Sequence, residues 1–185
     1  MVVQPVRVPV VEVQQYKMQL KNFFALAFTL SALWLSACGQ TYDALLKTLY
    51  KNTVPVIKAD ELEKQLQQNS PIILLDTRSA KEYQVSHLPG ALFIDFESFF
   101  EKAVENIPAD ATVVVYCSVG YRSERIGEKL KGLGYKQVYN LYGGIFDWVN
   151  KGNVVVNDSG KTNQVHAYSK TWGVWLQKGE KVYDN

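Results

Sequence analysis

Apolar residues recur along this chain in two distinct periods. Continuous runs such as Ile72-Ile73-Leu74-Leu75 and Val113-Val114-Val115-Tyr116 have the length and β-branched content of strands buried on both faces of a parallel sheet. Between such runs, apolar residues fall three and four apart, the period of a helix with one buried face. The pattern predicts strands at 54–57, 72–76, 92–94, 113–116 and 137–141. Pro55 marks the first of these as a sheet edge. It predicts helices over 59–68 with Leu62 and Leu66 inward, from Ala80, over 97–105 with Phe99, Phe100 and Ala103, and over 124–133 with Ile126, Leu130 and Leu133 on one face. Gly134 is the expected stop of the last of these. A Gly143-Gly144 turn then opens a short helix carrying Trp148. Alternation of strand and helix from 54 to 150 predicts an α/β domain: a central, mostly parallel sheet of about five strands with helices on both faces.

The flanks read differently. In residues 40–52, Tyr42, Leu45, Leu46, Leu49 and Tyr50 share one face of a short helix. Past Gly152, the segments 153–157 and 164–168 around Asp158-Ser159-Gly160 predict a hairpin, and 169–177, with Trp172 and Trp175, a helix. Residues 1–17 show neither period and hold two prolines; they are expected to be disordered or to lie upstream of a true start at Met18. Lys21 and an uncharged run of 15 residues, Phe23 to Ala37, follow. That run is short of the roughly 20 residues needed to span a bilayer. It ends in Leu35-Ser36-Ala37-Cys38-Gly39, and segment 18–38 resembles a bacterial lipoprotein signal. The resemblance implies export, lipidation of Cys38, and a membrane-anchored protein of the cell envelope facing the periplasm or the outside. The expected divisions are therefore 1–17, the signal at 18–38, a helical linker at 39–52, a domain at 53–151, and a C-terminal extension at 152–185 made of a hairpin and a short helix.

Composition narrows the function. Hydrophobic residues make up 47% and charged residues 21%, which fits a packed core. Three of the 20 basic residues and one of the 18 acidic residues lie in 1–38, so the remainder has 17 of each and no net charge. A nucleic-acid binder would show a basic stripe, and none is present. Two cysteines, Cys38 and Cys117, are too few for a disulfide scaffold, and each sits in a local context with its own chemistry. No metal site and no cofactor is predicted.

The chemistry concentrates at Cys117. An apolar strand ends on it, a turn with one glycine follows, and Arg122 and Ser123 open a helical pattern. A free thiol titrates at about 8.5, and a helix N-terminus with a nearby cation favours the thiolate. Gly120 permits the positive φ such a turn needs. Backbone N–H groups turned inward form an anion-binding nest, and Arg122 adds a fixed charge. Neither histidine is placed as a general base. His87 reads as a turn residue bonded to backbone, and His166 has no partner motif. Asp76 and Arg78 read as braces beneath the loop, with Glu82 as a partner for Arg78. The bland alternative for Cys117 is a small core hydrophobe.

Five motifs together resemble the single-domain rhodanese family: Leu75-Asp76-Thr77-Arg78, Glu82-Tyr83, His87-Leu88-Pro89-Gly90-Ala91, the Cys117–Ser123 loop, and Gly143-Gly144 before Trp148. They stand in the family's order over residues 53–150. One departure is Ser86, where the family usually has glycine. The resemblance implies a rhodanese-like fold and a sulfurtransferase (thiosulfate sulfurtransferase-like). Cys117 would carry a covalent persulfide and Arg122 would favour anionic donors. Backbone N–H groups of Ser118, Val119, Gly120, Tyr121 and Ser123 would hold the persulfide. The implied partners are a small sulfur donor and a thiol or cyanide acceptor, with the membrane reached through Cys38. The spacing Cys-x4-Arg is one residue shorter than in the phosphatase branch of the fold, which counts against phosphatase chemistry. A different class also fits: a rhodanese-like sulfur carrier or protein-interaction module that does not turn over.

Overall fold

The structure, a computed structural model, describes Lys21 and residues 41–184. The expectations for residues 1–17, the signal segment and Cys38 lie outside the described residues. The chain forms two compact units, Met1–Ala44 and Leu45–Asn185. No helix among the described residues is long and apolar enough to cross a membrane.

A helix α1 at residues 41–49 leads into the second unit, which buries Leu46 and Tyr50. The elements β1 (Val56–Ile57), α2 (Ala59–Gln67), β2 (Ile72–Asp76), α3 (Ala80–Val85), β3 (Leu92–Phe93), β4 (Thr112–Tyr116), α4 (Tyr121–Gly132), β5 (Gln137–Leu141) and α5 (Gly144–Asn150) follow in order. The five strands form one sheet in the order β1-β5-β4-β2-β3, with every pairing parallel. This is a rhodanese-like α/β arrangement with flanking helices, as the alternation predicts. β1 lies at the sheet edge, where Pro55 placed it.

The central strand β4 is the best buried. Val113, Val114, Val115 and Tyr116 have no solvent exposure. Side chains alternate across a strand, and Val113 and Val115 join Leu75, Ile126, Leu130 and Val138 in one apolar cluster. Truncating a side chain of this cluster to alanine costs about 2–5 kcal/mol. The apolar face of α4 ends sooner than expected, since Leu133 is exposed. Gly134, with φ 97°, follows the C-cap as its stop.

Three segments differ from the reading of the pattern. The expected helix at 97–105 is a single 3-10 turn, Glu101–Val104. Asp95 Oδ1 accepts from Glu97 and Ser98 N–H, so a side-chain turn takes the N–H groups that would open a helix. The hairpin in the extension pairs β6 (Val155–Asn157) with β7 (Gly160–Thr162), not with 164–168. A two-residue loop suits the strand twist better than a longer one. The released segment β8 (Gln164–His166) pairs in parallel with β9 (Glu180–Val182). The last helix, α6 (Lys170–Gly173), is one turn rather than 169–177. Glycine is a poor helix former, and Asn150 then redirects the chain. Its amide donates to Trp175 O at 2.8 Å and accepts from Gln177 and Lys178 N–H at 2.7 and 3.1 Å.

The extension is stitched to the domain at the His87 turn. His87 and Val156 exchange two backbone hydrogen bonds, 2.8 and 2.9 Å. His87 itself stacks on Tyr83 and places Nδ1 3.0 Å from Tyr83 O, the backbone-bonded turn role expected of it. Ser86 sits in ordinary extended backbone, φ −172°, so the turn has no need of glycine there.

Candidate active site

β4 ends at Tyr116, and Cys117 projects beyond the carboxyl end of the sheet, where open α/β folds place their ligands. The loop from Cys117 to Gly120 leads directly into α4, which starts at Tyr121, three residues before the helix expected over 124–133. Cys117 is free and almost fully buried.

Four carbonyls of this loop are held from outside. Cys117 O accepts from Ile145 N–H at 2.9 Å and Ser118 O from Phe146 N–H at 3.2 Å, both at the start of α5. Val119 O accepts from the Tyr50 hydroxyl at 2.7 Å. Gly120 O accepts from Asn140 Nδ2 at 2.9 Å. A peptide plane is rigid and carries its C=O and the next N–H on opposite edges. Fixing a carbonyl outward therefore aims the following N–H inward. The clearest result is Gly120, whose N–H donates to Cys117 Sγ at 3.1 Å. The N–H groups of Tyr121, Arg122 and Ser123 lie in the first turn of α4 and have no intrahelical carbonyl to meet. The loop is thus built to hold negative charge on sulfur.

Two glycines make the loop possible. Gly120 has φ 96°, and a Cβ there would run into the Tyr50 ring and hydroxyl. Gly144 has φ 58°, and a Cβ would collide with the Cys117 and Ser118 carbonyls. Tyr50 closes the arrangement, because its oxygen also accepts from Gly143 N–H at 3.0 Å. Burial raises the Tyr50 phenol well above its usual range, against the bond from Gly143 and with the charge at Cys117 adding to the rise. It remains a neutral hydrogen-bond donor.

The ion pairs differ from the expected pairing. Arg78 is fully buried, but its partner is Asp76, not Glu82. Its Nε lies 2.9 Å from Asp76 Oδ1 and its Nη2 2.7 Å from Oδ2, and Nη2 also donates to Ser86 O. Glu82 pairs with Arg122 instead, at 2.9 and 2.8 Å. Arg122 Nη2 also donates to Ser118 Oγ at 3.0 Å, and Ser118 Oγ donates to Glu82 Oε1 at 2.9 Å. Glu82 is placed by a capping box on α3, in which Ser79 and Glu82 each bond the other's backbone. The reason for the exchange is geometric: Asp76, two residues before Arg78, engages its Nε and Nη2 locally and leaves the Glu82 carboxylate to Arg122 of α4.

Cys117, Ser118, Val119, Tyr121 and Arg122 line one pocket of about 530 Å³. Gly120 reaches the sulfur through its N–H. The Ser123 hydroxyl is turned away and donates to Asn140 Oδ1 at 2.7 Å, while its N–H lies in the first turn of α4. Asp76 lies beside Tyr116 in the sheet register, and the Arg78 guanidinium lies 5.9 Å from the centre of the Tyr116 ring. Sequence reasoning missed Asn140, the brace on Gly120, and Tyr50, the brace on Val119. It also missed Tyr168 and Trp172, which the extension brings to the pocket wall. Ser79-x-x-Glu82 is a legible capping-box signal and would have fixed the direction of Glu82.

A parallel five-stranded sheet with a cysteine cradled at its carboxyl edge defines an α/β protein of rhodanese-like fold. Residues 58–151 match the Rhodanese-like domain family, and the chain belongs to that family. It is 27% identical over 100 residues to the candidate sulfur carrier protein YrkF of Bacillus subtilis (strain 168), covering 54% of each chain. It is 33% identical over 105 residues to the tRNA uridine(34) hydroxylase of Salmonella arizonae, covering 54% of this chain and 30% of that one. The chain thus spans about half or less of these relatives. The fold also resembles the crystal structure of a thiosulfate sulfurtransferase from Pseudomonas aeruginosa, with TM-score 0.52, 23% identity, and coverage of 66% of this chain and 23% of that one.

Proposed function

We propose that this protein is a sulfurtransferase that carries sulfane sulfur as a persulfide on Cys117. The observation that supports it most is the Gly120 N–H aimed at Cys117 Sγ at 3.1 Å, within a loop whose carbonyls are all drawn outward. Cys117 as thiolate attacks the outer sulfur of a donor such as thiosulfate. The donor S–S bond breaks, sulfite leaves with the electron pair, and Cys117 keeps one extra sulfur. A thiol or cyanide acceptor then attacks that sulfur and regenerates the thiolate. The negative charge stays on sulfur throughout, where the loop N–H groups stabilise it. Gly120, Ser118, Val119 and Tyr121 form the sulfur-binding surface, Arg122 and Glu82 hold Ser118 in place, and Asp76 and Arg78 support the loop from below.

The test is direct. After exposure to thiosulfate, Cys117 gains about 32 Da, one persulfide sulfur, and the purified protein forms thiocyanate from cyanide. Cys117→Ser abolishes both, and full activity in that variant would overturn the assignment. A second reading, a sulfur carrier without turnover, is favoured by the near-complete burial of Cys117 and by the likeness to YrkF. It predicts the mass gain without multiple turnovers.

A further inference from the structure

The pocket over Cys117 is walled by Phe96, Val119, Tyr121, Tyr168 and Trp172, with Glu97 on its exposed rim. Its volume of about 530 Å³ lies in the range of sites for small organic molecules, about 300–1,000 Å³. A small inorganic anion fills little of it. Arg122 is the only basic residue among the described residues that line it, and its charge is already engaged. Both Nη groups donate to Glu82, Nη2 also donates to Ser118, and the Tyr168 ring covers the guanidinium at 5.1 Å. Glu82 pairs with this guanidinium, and a second carboxylate, Glu97, lines the same pocket. A doubly charged anion therefore meets no uncompensated cation here, and its desolvation goes unrewarded.

Tyr168 is placed with some strain. Its φ is 63°, in the left-handed region that a tyrosine rarely takes. Its N–H donates to His166 Nδ1 at 3.2 Å, and the N-cap of α6 begins at the next residue, Ser169. The tyrosine stays half exposed at the pocket wall, where an incoming group meets it.

Resting on the persulfide reading of Cys117, we infer that the sulfur donor is an organic persulfide, R–S–SH, whose R group is apolar or aromatic, and that Tyr168 and Trp172 select it over thiosulfate. The Cys117 thiolate attacks the outer sulfur, the donor S–S bond breaks, and R–S⁻ leaves with the electron pair. Cys117–S–SH forms, and no oxidant or reductant is consumed. The R group rests on the aromatic wall while the outer sulfur enters the loop.

Benzyl persulfide and thiosulfate are compared as donors, with cyanide as acceptor and the uncatalysed rate subtracted. In the wild type, kcat/KM for benzyl persulfide exceeds that for thiosulfate by about tenfold or more, the scale of apolar pocket discrimination. Tyr168→Ala and Trp172→Ala each lower that ratio by about fivefold, and Trp172→Phe restores most of it. Glu82→Gln frees the Arg122 charge and raises kcat/KM for thiosulfate. A wild-type ratio near one, or a ratio that neither alanine variant moves, overturns the donor inference. Mass analysis of Cys117 separates the two levels. An adduct formed equally from both donors overturns the donor class and leaves the persulfide reading standing, whereas no adduct from either donor overturns both.

Discussion

Arg122 meets Glu82 edge to edge, Nη1 to Oε2 at 2.9 Å and Nη2 to Oε1 at 2.8 Å. The pair ties α3 to the first turn of α4 directly beside the cysteine loop. Burial pushes the Glu82 carboxyl up. The hydrogen bonds and charge of Arg122, the Ser79 N–H and the charge of Arg78 outweigh it and hold the group at about 2. For Arg122, burial works against the charge, but the bonds to Glu82 and the negative charges of Cys117 and Glu82 hold it above the usual arginine value.

The pH dependence of stability follows in sign. Glu82 has an ordinary value of 4.5 and a depressed folded value. Its contribution is full above 4.5 and is lost as pH falls toward 2. Thermal melts of the wild type therefore drop across that window, and Glu82→Gln flattens the drop. At neutral pH the substitution destabilises by about 3 kcal/mol, since it leaves a half-buried guanidinium poorly paired. Equal pH profiles for the two proteins would count against the pairing.

Asp76 and Arg78 form a fully buried pair, so removing one member strands the other. Asp76→Ala costs about 3–5 kcal/mol in chemical denaturation. Arg78→Met, which removes the charge and keeps most of the volume, also strands a carboxylate. The double variant Asp76→Ala/Arg78→Met is less destabilised than the sum of the two single variants. Additive losses would show that the pair is not coupled.

Gly144→Ala tests the seat of the loop. Its Cβ would press on the Cys117 carbonyl, and the Ile145 and Phe146 N–H donors would shift with it. Turnover falls by about tenfold or more, because sub-ångström misplacement at a reacting centre is costly. Chemical denaturation shows a loss of about 1–3 kcal/mol for the strained backbone. Unchanged kcat would mean that the α5 start does not position the sulfur.

The sheet and the cysteine loop were legible because both are local patterns: a β-branched run, a cysteine, a glycine and a helical period. The braces were not. Asn140 looks like one polar residue in a strand, and only the parallel pairing of β4 with β5 brings it against Gly120 and Ser123. Arg78 offers the same sequence signal whether it pairs with Asp76 or Glu82. The choice depends on how α3 faces α4 in space. In the extension, apolar content was visible but partners were not, since β8 pairs with a strand that a short helix separates from it.

Cys38 supplies an independent test of localisation. If it is acylated, wild-type protein fractionates with membranes and Cys38→Ala becomes soluble. Each buried methylene adds about 0.8 kcal/mol, so several acyl chains give a large shift. Equal partitioning of both proteins removes the lipoprotein proposal.

Tyr50 gives the site a boundary that its fold family does not mark. The family region begins at residue 58 and ends at 151, so a fragment trimmed to those limits retains every residue of the cysteine loop. It loses the hydroxyl that pins Val119 O and Gly143 N–H, which leaves the Gly120 N–H bond to Cys117 Sγ to hold the 119–120 peptide. Such a fragment also lacks β1, keeps the four strands β2 to β5, and can present its sulfur to a carbonyl instead of an N–H. The smallest piece of this protein that is chemically whole is therefore longer than the smallest piece that is recognisably a domain.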